Sequence, residues 1–415
     1  KNPQRSSVEG DVSPPKPLLQ MACRYAGGGL LPLPVALGRR KGGVSAHRPL
    51  TARWMTLRLP TDIAFLAIAE AHQMYHWLPA ALELARRPDV RVSVLSPSDH
   101  LLDLIGSYDA DARLARVRLR RPPSRRDSLF HQPSRLATLL LNHRRILRFP
   151  VIVTTEISSA WLRHVPGFAS LMIHMKHGAG DREGGYKKRH ADFDLTLVGG
   201  DKDKRRLIAR GLGTTDNVRI GGYAKFELKA QRRRFFSDDK PVLLYNPHFD
   251  AALSSWVNHG PAVLAALESL EDWNVIIAPH AKLAQRVPPI VSSAPHIRVD
   301  MGSRHSIDMS YTVSADVYLG DVSSQVYEFL IEPRPCIFLN LDRRDASGED
   351  FAHWRLGQII ETTDALPTAL AQAAGLQPRF LALQEAAMRD SIDLSPIPAS
   401  HRQADIILDF LKGAA

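Results

Sequence analysis

The 415-residue sequence is poor in several features that would settle function early. It holds only two cysteines, Cys23 and Cys336. That is too few, and too widely spaced, for a disulfide framework or a cysteine-based metal site. Cys336 stands in the run Cys336-Ile337-Phe338-Leu339 and reads as a buried thiol. No stretch of about 20 unbroken apolar residues exists, so no transmembrane helix is expected. The nearest candidate, residues 18–38, is broken by Arg24, by Gly27, Gly28 and Gly29, and by Pro32 and Pro34. There is no Walker loop and no nucleophile elbow, and Gly178-Ala179-Gly180 lacks the third glycine of a dinucleotide fingerprint. His72 and His76, and His174 and His177, are spaced as helical neighbours, but no carboxylate or cysteine completes a metal site around them. Acidic residues are outnumbered 54 to 43 by Lys and Arg, for a net charge of +11. That balance favours anionic partners: nucleotides, anionic lipid, nucleic acid or a phosphate-bearing polymer.

What is present is a rhythm. Residues 1–54, rich in Pro, Gly, Ser and Arg, show no period and read as a disordered extension, an upstream translation that the folded protein does not need. From Asp62 onward strand and helix alternate. Apolar runs predict strands at residues 63–69, 90–95, 151–154, 171–174, 195–198 and 218–220, with an amphipathic helix over 72–87. Gly221-Gly222 and the polar run 231–240 read as hinge and linker. The rhythm then restarts, with strands at 242–245, 274–278, 316–319 and 336–339. Helices follow over 364–374, capped by Asp364 and stopped by Gly375, and over 379–389 and 401–411. The expected fold class is α/β, with two Rossmann-like, doubly wound parallel-sheet domains facing across a cleft. The expected divisions are an N-terminal domain at 55–225, a linker at 226–240, a C-terminal domain at 241–398 and a final helix at 399–415.

In open parallel sheets ligands bind outside the carboxyl ends of the strands, so the residues just after each strand are the candidates. His177-Gly178 follows one strand, and a loop histidine there can take a proton near neutral pH. His280, in Ala278-Pro279-His280, holds the matching place in the other half, suited to a phosphate or a leaving group. Gly320-Asp321-Val322-Ser323-Ser324 precedes a helix that Asp321 or Ser323 can cap. Its amides and the Ser323 and Ser324 hydroxyls suit a diphosphate, and Glu328 one turn on suits a ribose. Tyr245-Asn246-Pro247-His248 is a further strand-end segment for the nucleotide. Residues 113–148 hold eleven arginines against a single acid, Asp127, with leucines interleaved. Arg120, Arg121, Arg125, Arg126, Arg144 and Arg145 can dock on anionic head groups, on the acceptor or on nucleic acid.

Three of these motifs together resemble the CDP-glycerol:polyglycerophosphate glycerophosphotransferases, the polymerases and primases of teichoic-acid-type polymers. The resemblance spans about residues 145–345 and rests on His177-Gly178, on Pro279-His280 and, most specifically, on Asp321-Val322-Ser323-Ser324 running on to Arg334-Pro335-Cys336-Ile337-Phe338-Leu339-Asn340. Ala179 stands where the family has Thr, and Ala281 where it has Pro. The resemblance implies a GT-B fold and transfer of glycerophosphate, or a similar polyol phosphate, from a CDP-linked donor to a hydroxyl of a cell-envelope polymer or glycolipid. It implies His177 as general base, His280 on the donor phosphate, Ser323, Ser324 and Gly178 around the diphosphate, and Glu328 and Tyr245 on the nucleotide. No cofactor and no metal are implied, and the enzyme would work on the cytoplasmic face of the membrane. A GT-B glycosyltransferase using a sugar nucleotide is the alternative. A sugar-nucleotide 2-epimerase and a nucleic-acid-binding protein stand behind it, and nucleic acid is not an expected partner.

Overall fold

A computed structural model describes residues 61–123 and 132–414. The extension expected at residues 1–54 lies outside the described residues, as do Arg125 and Arg126. The first half builds a seven-stranded sheet from β1 (Thr61–Leu66), β2 (Val90–Ser96), β3 (Ala115–Arg118), β4 (Val151–Thr154), β5 (Leu171–Met175), β6 (Leu195–Val198) and β7 (Val218–Ile220), in the order β3-β2-β1-β4-β5-β6-β7. The second builds a six-stranded sheet from β8 (Val242–Asn246), β9 (Asn274–Ile277), β10 (Ile297–Val299), β11 (Val317–Gly320), β12 (Cys336–Leu339) and β13 (Gln358–Ile360), in the order β10-β9-β8-β11-β12-β13. Every pairing is parallel, as in β1 with β4, where Ile63 stands opposite Val151 and Leu66 opposite Thr154. Parallel strands covered on both faces need apolar side chains on both, which is why β4, β5, β6, β9, β11 and β12 are buried at every position. In both sheets the strand order reverses beside the first strand of the half. That reversal opens a crevice at the carboxyl ends of β1 and β8.

The covering helices are α1 (Leu78–Leu84), α2 (Asp99–Gly106), α3 (Arg135–Ile146), α4 (Asp201–Ala209), α5 (Ser255–Glu268), α6 (Ala281–Ala284), α7 (Ser310–Ser314), α8 (Gln325–Phe329), α9 (Leu366–Ser391) and α10 (Ala399–Ala414). Helix α10 belongs to the end of the chain but packs on the first sheet. Its Ala404, Ile407 and Leu411 join Ile63, Phe65 and Leu84 in one core. Three short elements were not expected from periodicity: β3, β10 and β13. The helix expected over 72–87 is split into a 3-10 turn, Ala71–His76, and α1, with Pro79 in the first turn of α1. Two helix ends also differ from those expected. Asp364 lies in a 3-10 turn, with Ala365 in the cap position of α9. Gly375 lies inside a continuous 26-residue helix rather than ending it, because no side chain approaches it and the turns on either side pack. Among the described residues no helix is long and apolar enough to cross a membrane.

Candidate functional site

The loops after β1, β5, β8, β9 and β11 converge on one cleft of about 220 Å³, lined by residues of both halves. His177 stands two residues past β5 and His280 three past β9, and both face this cleft. His72 lies between them, its ring centroid 6.2 Å from that of His177 and 5.6 Å from that of His280. His76 comes within 6.1 Å of His177, and His248 within 6.0 Å of His280. With His353, which also lines the cleft, six imidazoles from the two halves share this site among the described residues. Sequence reading placed His177 and His280 there. His248 belongs to the strand-end segment at 245–248 expected at the nucleotide, whereas His72 and His76 read only as an incomplete metal pair. Their place in the segment that follows β1 is the signal that could have found those two. Among the described residues no group of three side chains is arranged to hold a metal.

The two expected histidines carry their protons on opposite sides. His177 Nδ1 lies 2.8 Å from the Thr155 carbonyl. Only an N–H can make that bond, so Nε2 carries the lone pair. His280 Nδ1 instead accepts from the Lys282 main-chain N–H at 3.2 Å, as the cap of α6, so its Nε2 bears the proton. The ring at 177 is therefore a base and the ring at 280 a donor. Burial keeps both neutral. It pulls His177 down to about 4 against the bond to Thr155, and with the Lys282 ammonium it pulls His280 down to about 3. Burial with neighbouring cationic groups likewise lowers His72 and His76, and takes His248 to about 2.

The loop at 177–182 and the loop at 321–325 touch. A Cβ built on Gly180 would meet the Ser324 Cβ at 2.9 Å, and one on Gly178, whose φ is +72°, would meet the Ser324 hydroxyl at 3.2 Å. These glycines therefore admit the opposing half of the protein itself at close range. Ser324 is exposed at the cleft. The Ser323 hydroxyl is engaged, donating to Asn246 Oδ1 at 2.9 Å and accepting from the Gln325 N–H. Helix α8 is only five residues long, with Ser324 in the cap position and no side-chain cap.

Asp321 does not cap that helix. Its buried carboxylate, pushed up from its usual range by burial, accepts from the His248 and Ser255 N–H groups, the Ser255 hydroxyl and the Val322 N–H. It is the brace that joins the loops after β8 and β11. Tyr245 does not reach the cleft. Its ring is fully buried beneath Trp256 and its hydroxyl meets Ser255 Oγ at 2.8 Å, because it lies on β8 with its side chain toward the core. Glu328 lines the cleft, but its two oxygens are held by Lys225 Nζ at 2.7 Å each, and one also takes the Tyr223 hydroxyl at 3.0 Å. The carboxylate that would meet a ribose is thus already braced by Lys225 and Tyr223.

A second buried network crosses between the halves. Asp181 accepts from Lys202 Nζ at 2.8 Å and from the Tyr327 hydroxyl at 2.7 Å, and lies 3.3 Å from His353 Nδ1. Burial works to raise its carboxyl, but His353 and Lys202 hold it well below the usual range. Arg120, Arg144 and Arg145 lie together on the outer side of the first half. Asn142 of α3 clasps the main chain of Arg120 through two 2.8 Å bonds, and Arg145 donates to the Arg118 carbonyl. Arg121 adjoins them, half-buried. The same helix exposes Leu136, Leu140 and Leu141 at 50%, 48% and 49%.

No sequence-family model matches the chain, and no curated relative matches it. Solved structures do. The wall teichoic acid polymerase TagF aligns with a TM-score of 0.57 at 12% identity, over 86% of this chain and 90% of that one. The glycotransferase of kitacinnamycin gives 0.52 at 14%, over 85% and 99%. The UDP-GlcNAc 2-epimerase from Neisseria meningitidis, bound to UDP-GlcNAc, gives the same figures, 0.52 at 14% over 85% and 99%. At these identities the likeness is one of fold: the chain has two parallel-sheet α/β halves in a GT-B-like arrangement.

Proposed function

We propose that this protein is a transferase that moves glycerophosphate, or a similar polyol phosphate, from a CDP-linked donor to a hydroxyl of a cell-envelope polymer or glycolipid. The observation that carries the reading is the pair of opposite tautomers in one cleft: a lone pair on His177 Nε2 and a proton on His280 Nε2. In the proposed reaction His177 takes the proton of the acceptor hydroxyl as its oxygen attacks the outer phosphorus of the donor. The bond from that phosphorus to the bridging oxygen breaks, and CMP leaves with a hydrogen bond from His280. A general base in this role contributes roughly 10²- to 10⁴-fold in rate. The exposed Ser324 and the amides of its loop face the donor phosphates, with Gly178 keeping the two loops close. TagF has also been solved after soaking with CDPG, and it shares this chain's fold over most of its length.

Helix α3 supports a place at a membrane surface. Leu136, Leu140 and Leu141 form an apolar ridge beside Arg120, Arg121, Arg144 and Arg145, a combination suited to anionic lipid. A sugar nucleotide is the second reading, favoured by the two other GT-B-like structures that share the fold.

Incubation with CDP-glycerol and with UDP- and GDP-sugars separates the two. Release of CMP from CDP-glycerol alone, with a rise in melting temperature that CDP alone also produces, supports the leading reading. Turnover of a sugar nucleotide without CMP release from CDP-glycerol overturns it.

A further inference from the structure

The ion pairs in and beside the cleft differ in how open they are. Lys202–Asp181, Lys176–Asp203 and Lys225–Glu328 are closed to solvent, with side-chain exposures of 8% and 2%, 10% and 1%, and 4% and 7%. Arg182–Asp250 and Lys282–Glu70 are reachable, at 30% and 37%, and 30% and 16%. Both reachable pairs span the two halves: Arg182 and Glu70 come from the first, Asp250 and Lys282 from the second. Their cations converge on one ring. The Arg182 guanidinium lies 5.5 Å and Lys282 Nζ 5.0 Å from the centroid of Phe249, and that ring is 4.7 Å from His280.

We propose that Arg182 and Lys282 form a clamp for the diphosphate of a nucleotide-diphosphate ligand, and that Asp250 and Glu70 hold their places until it arrives. This rests on the reading that the cleft takes such a donor. A planar guanidinium and an ammonium beside one aromatic ring at the cleft suit two linked phosphates, the first by bidentate pairing and the second as a point charge. The other lysines in or beside the cleft are less accessible, since Lys176, Lys202 and Lys225 are buried against their acids.

Both cations can be released cheaply. Glu70 has other donors, Arg135 and the Gln73 amide at 2.9 Å, and Lys282 reaches it only at 3.4 Å. Asp250 keeps the Ala252 N–H. Arg182 also lies 3.0 Å from His248 Nε2, while His248 Nδ1 faces the Asp250 N–H at 3.1 Å. A neutral imidazole has one lone pair for hydrogen bonding and one N–H. Two donors therefore compete for it, and Arg182 is the one free to leave.

Calorimetric titration with CDP and with inorganic pyrophosphate tests this on the wild type and on Arg182→Gln, Lys282→Gln and Asp250→Asn. Each glutamine variant is expected to weaken both ligands by roughly tenfold to a hundredfold, the worth of one charge-assisted bond. Asp250→Asn is expected to tighten both by about threefold or more, since it removes a competitor for Arg182. Glutamine variants that bind both ligands as the wild type does overturn the clamp while leaving the CDP reading intact. Clamp-dependent binding of pyrophosphate without binding of CDP upholds the clamp and overturns that reading. Weaker binding by Asp250→Asn overturns the place-holding role, and a wild type that binds neither ligand overturns both proposals.

Discussion

Lys225 and Glu328 join the two halves through a pair closed to solvent, at 4% and 7% exposure. Lys225→Met would leave the Glu328 carboxylate buried with the Tyr223 hydroxyl as its one remaining donor. Stranding one member of a buried pair costs about 3–5 kcal/mol. With an unfolding entropy of about 2.1 cal/mol/K per residue over the roughly 350 described residues, that corresponds to a melting temperature lower by ~4–7 °C. Replacing both members, Lys225→Met with Glu328→Gln, removes the stranded charge and still leaves Tyr223 an acceptor, so most of the loss should be recovered. Differential scanning calorimetry on the wild type, both single variants and the double variant closes the cycle. A coupling of about 2 kcal/mol or more is expected. A Lys225→Met protein that melts within ~1 °C of the wild type, or single effects that simply add, would refute the assignment of this pair as a buried tie between the halves.

Protonation should be felt well below neutrality. His177, His280 and His248 are held down to about 4, about 3 and about 2, below the roughly 6.5 of an unfolded histidine. The folded state thus binds fewer protons than the unfolded one in that window. Stability is full above about pH 6.5 and falls as pH drops toward 4, by up to ~1.4 kcal/mol per pH unit for each group, as acid denaturation curves can show. For the same reason kcat/KM should be flat from about pH 5 to 8; an acid limb centred near 6.5 and lost in His177→Gln would contradict it. Gly180→Ala should spread the loops at 180 and 324, because its new methyl would lie 2.9 Å from the Ser324 Cβ. The expected loss is ~1–3 kcal/mol with weaker CDP binding, and an unchanged melt would show that the loops do not touch. Changing Leu136, Leu140 and Leu141 together to Ser should lower partition onto anionic vesicles at least about tenfold in sedimentation, with no effect on CDP affinity.

The two sheets were legible because β4, β6, β9 and β12 are largely apolar runs with at most one Thr or Asn, buried at every position. Strands β3, β10 and β13 were not, because edge strands of three or four residues alternating with arginine or glutamine leave little pattern to read. The same limit applies to α9, where Gly375 and Pro378 imitate a break that packing overrides. In the site, the strand-end rule found the loops at 177, 280 and 321 but not the direction of each side chain. Tyr245 and Asp321 both lie at strand ends, yet one turns into the core and the other into a brace between loops. The partners of Lys282 and Arg182 are distant in sequence, Glu70 and Asp250, so only the folded chain brings them together.

In the proposed reaction His177 removes the acceptor proton in a cleft that holds the donor without its help. The direct measurement is CMP release from CDP-glycerol by His177→Gln, with CDP affinity determined on the same protein. The expected outcome is a rate lower by roughly 10²- to 10⁴-fold and an affinity within about threefold of the wild type. Release at the wild-type rate, with His177 gone, would contradict it.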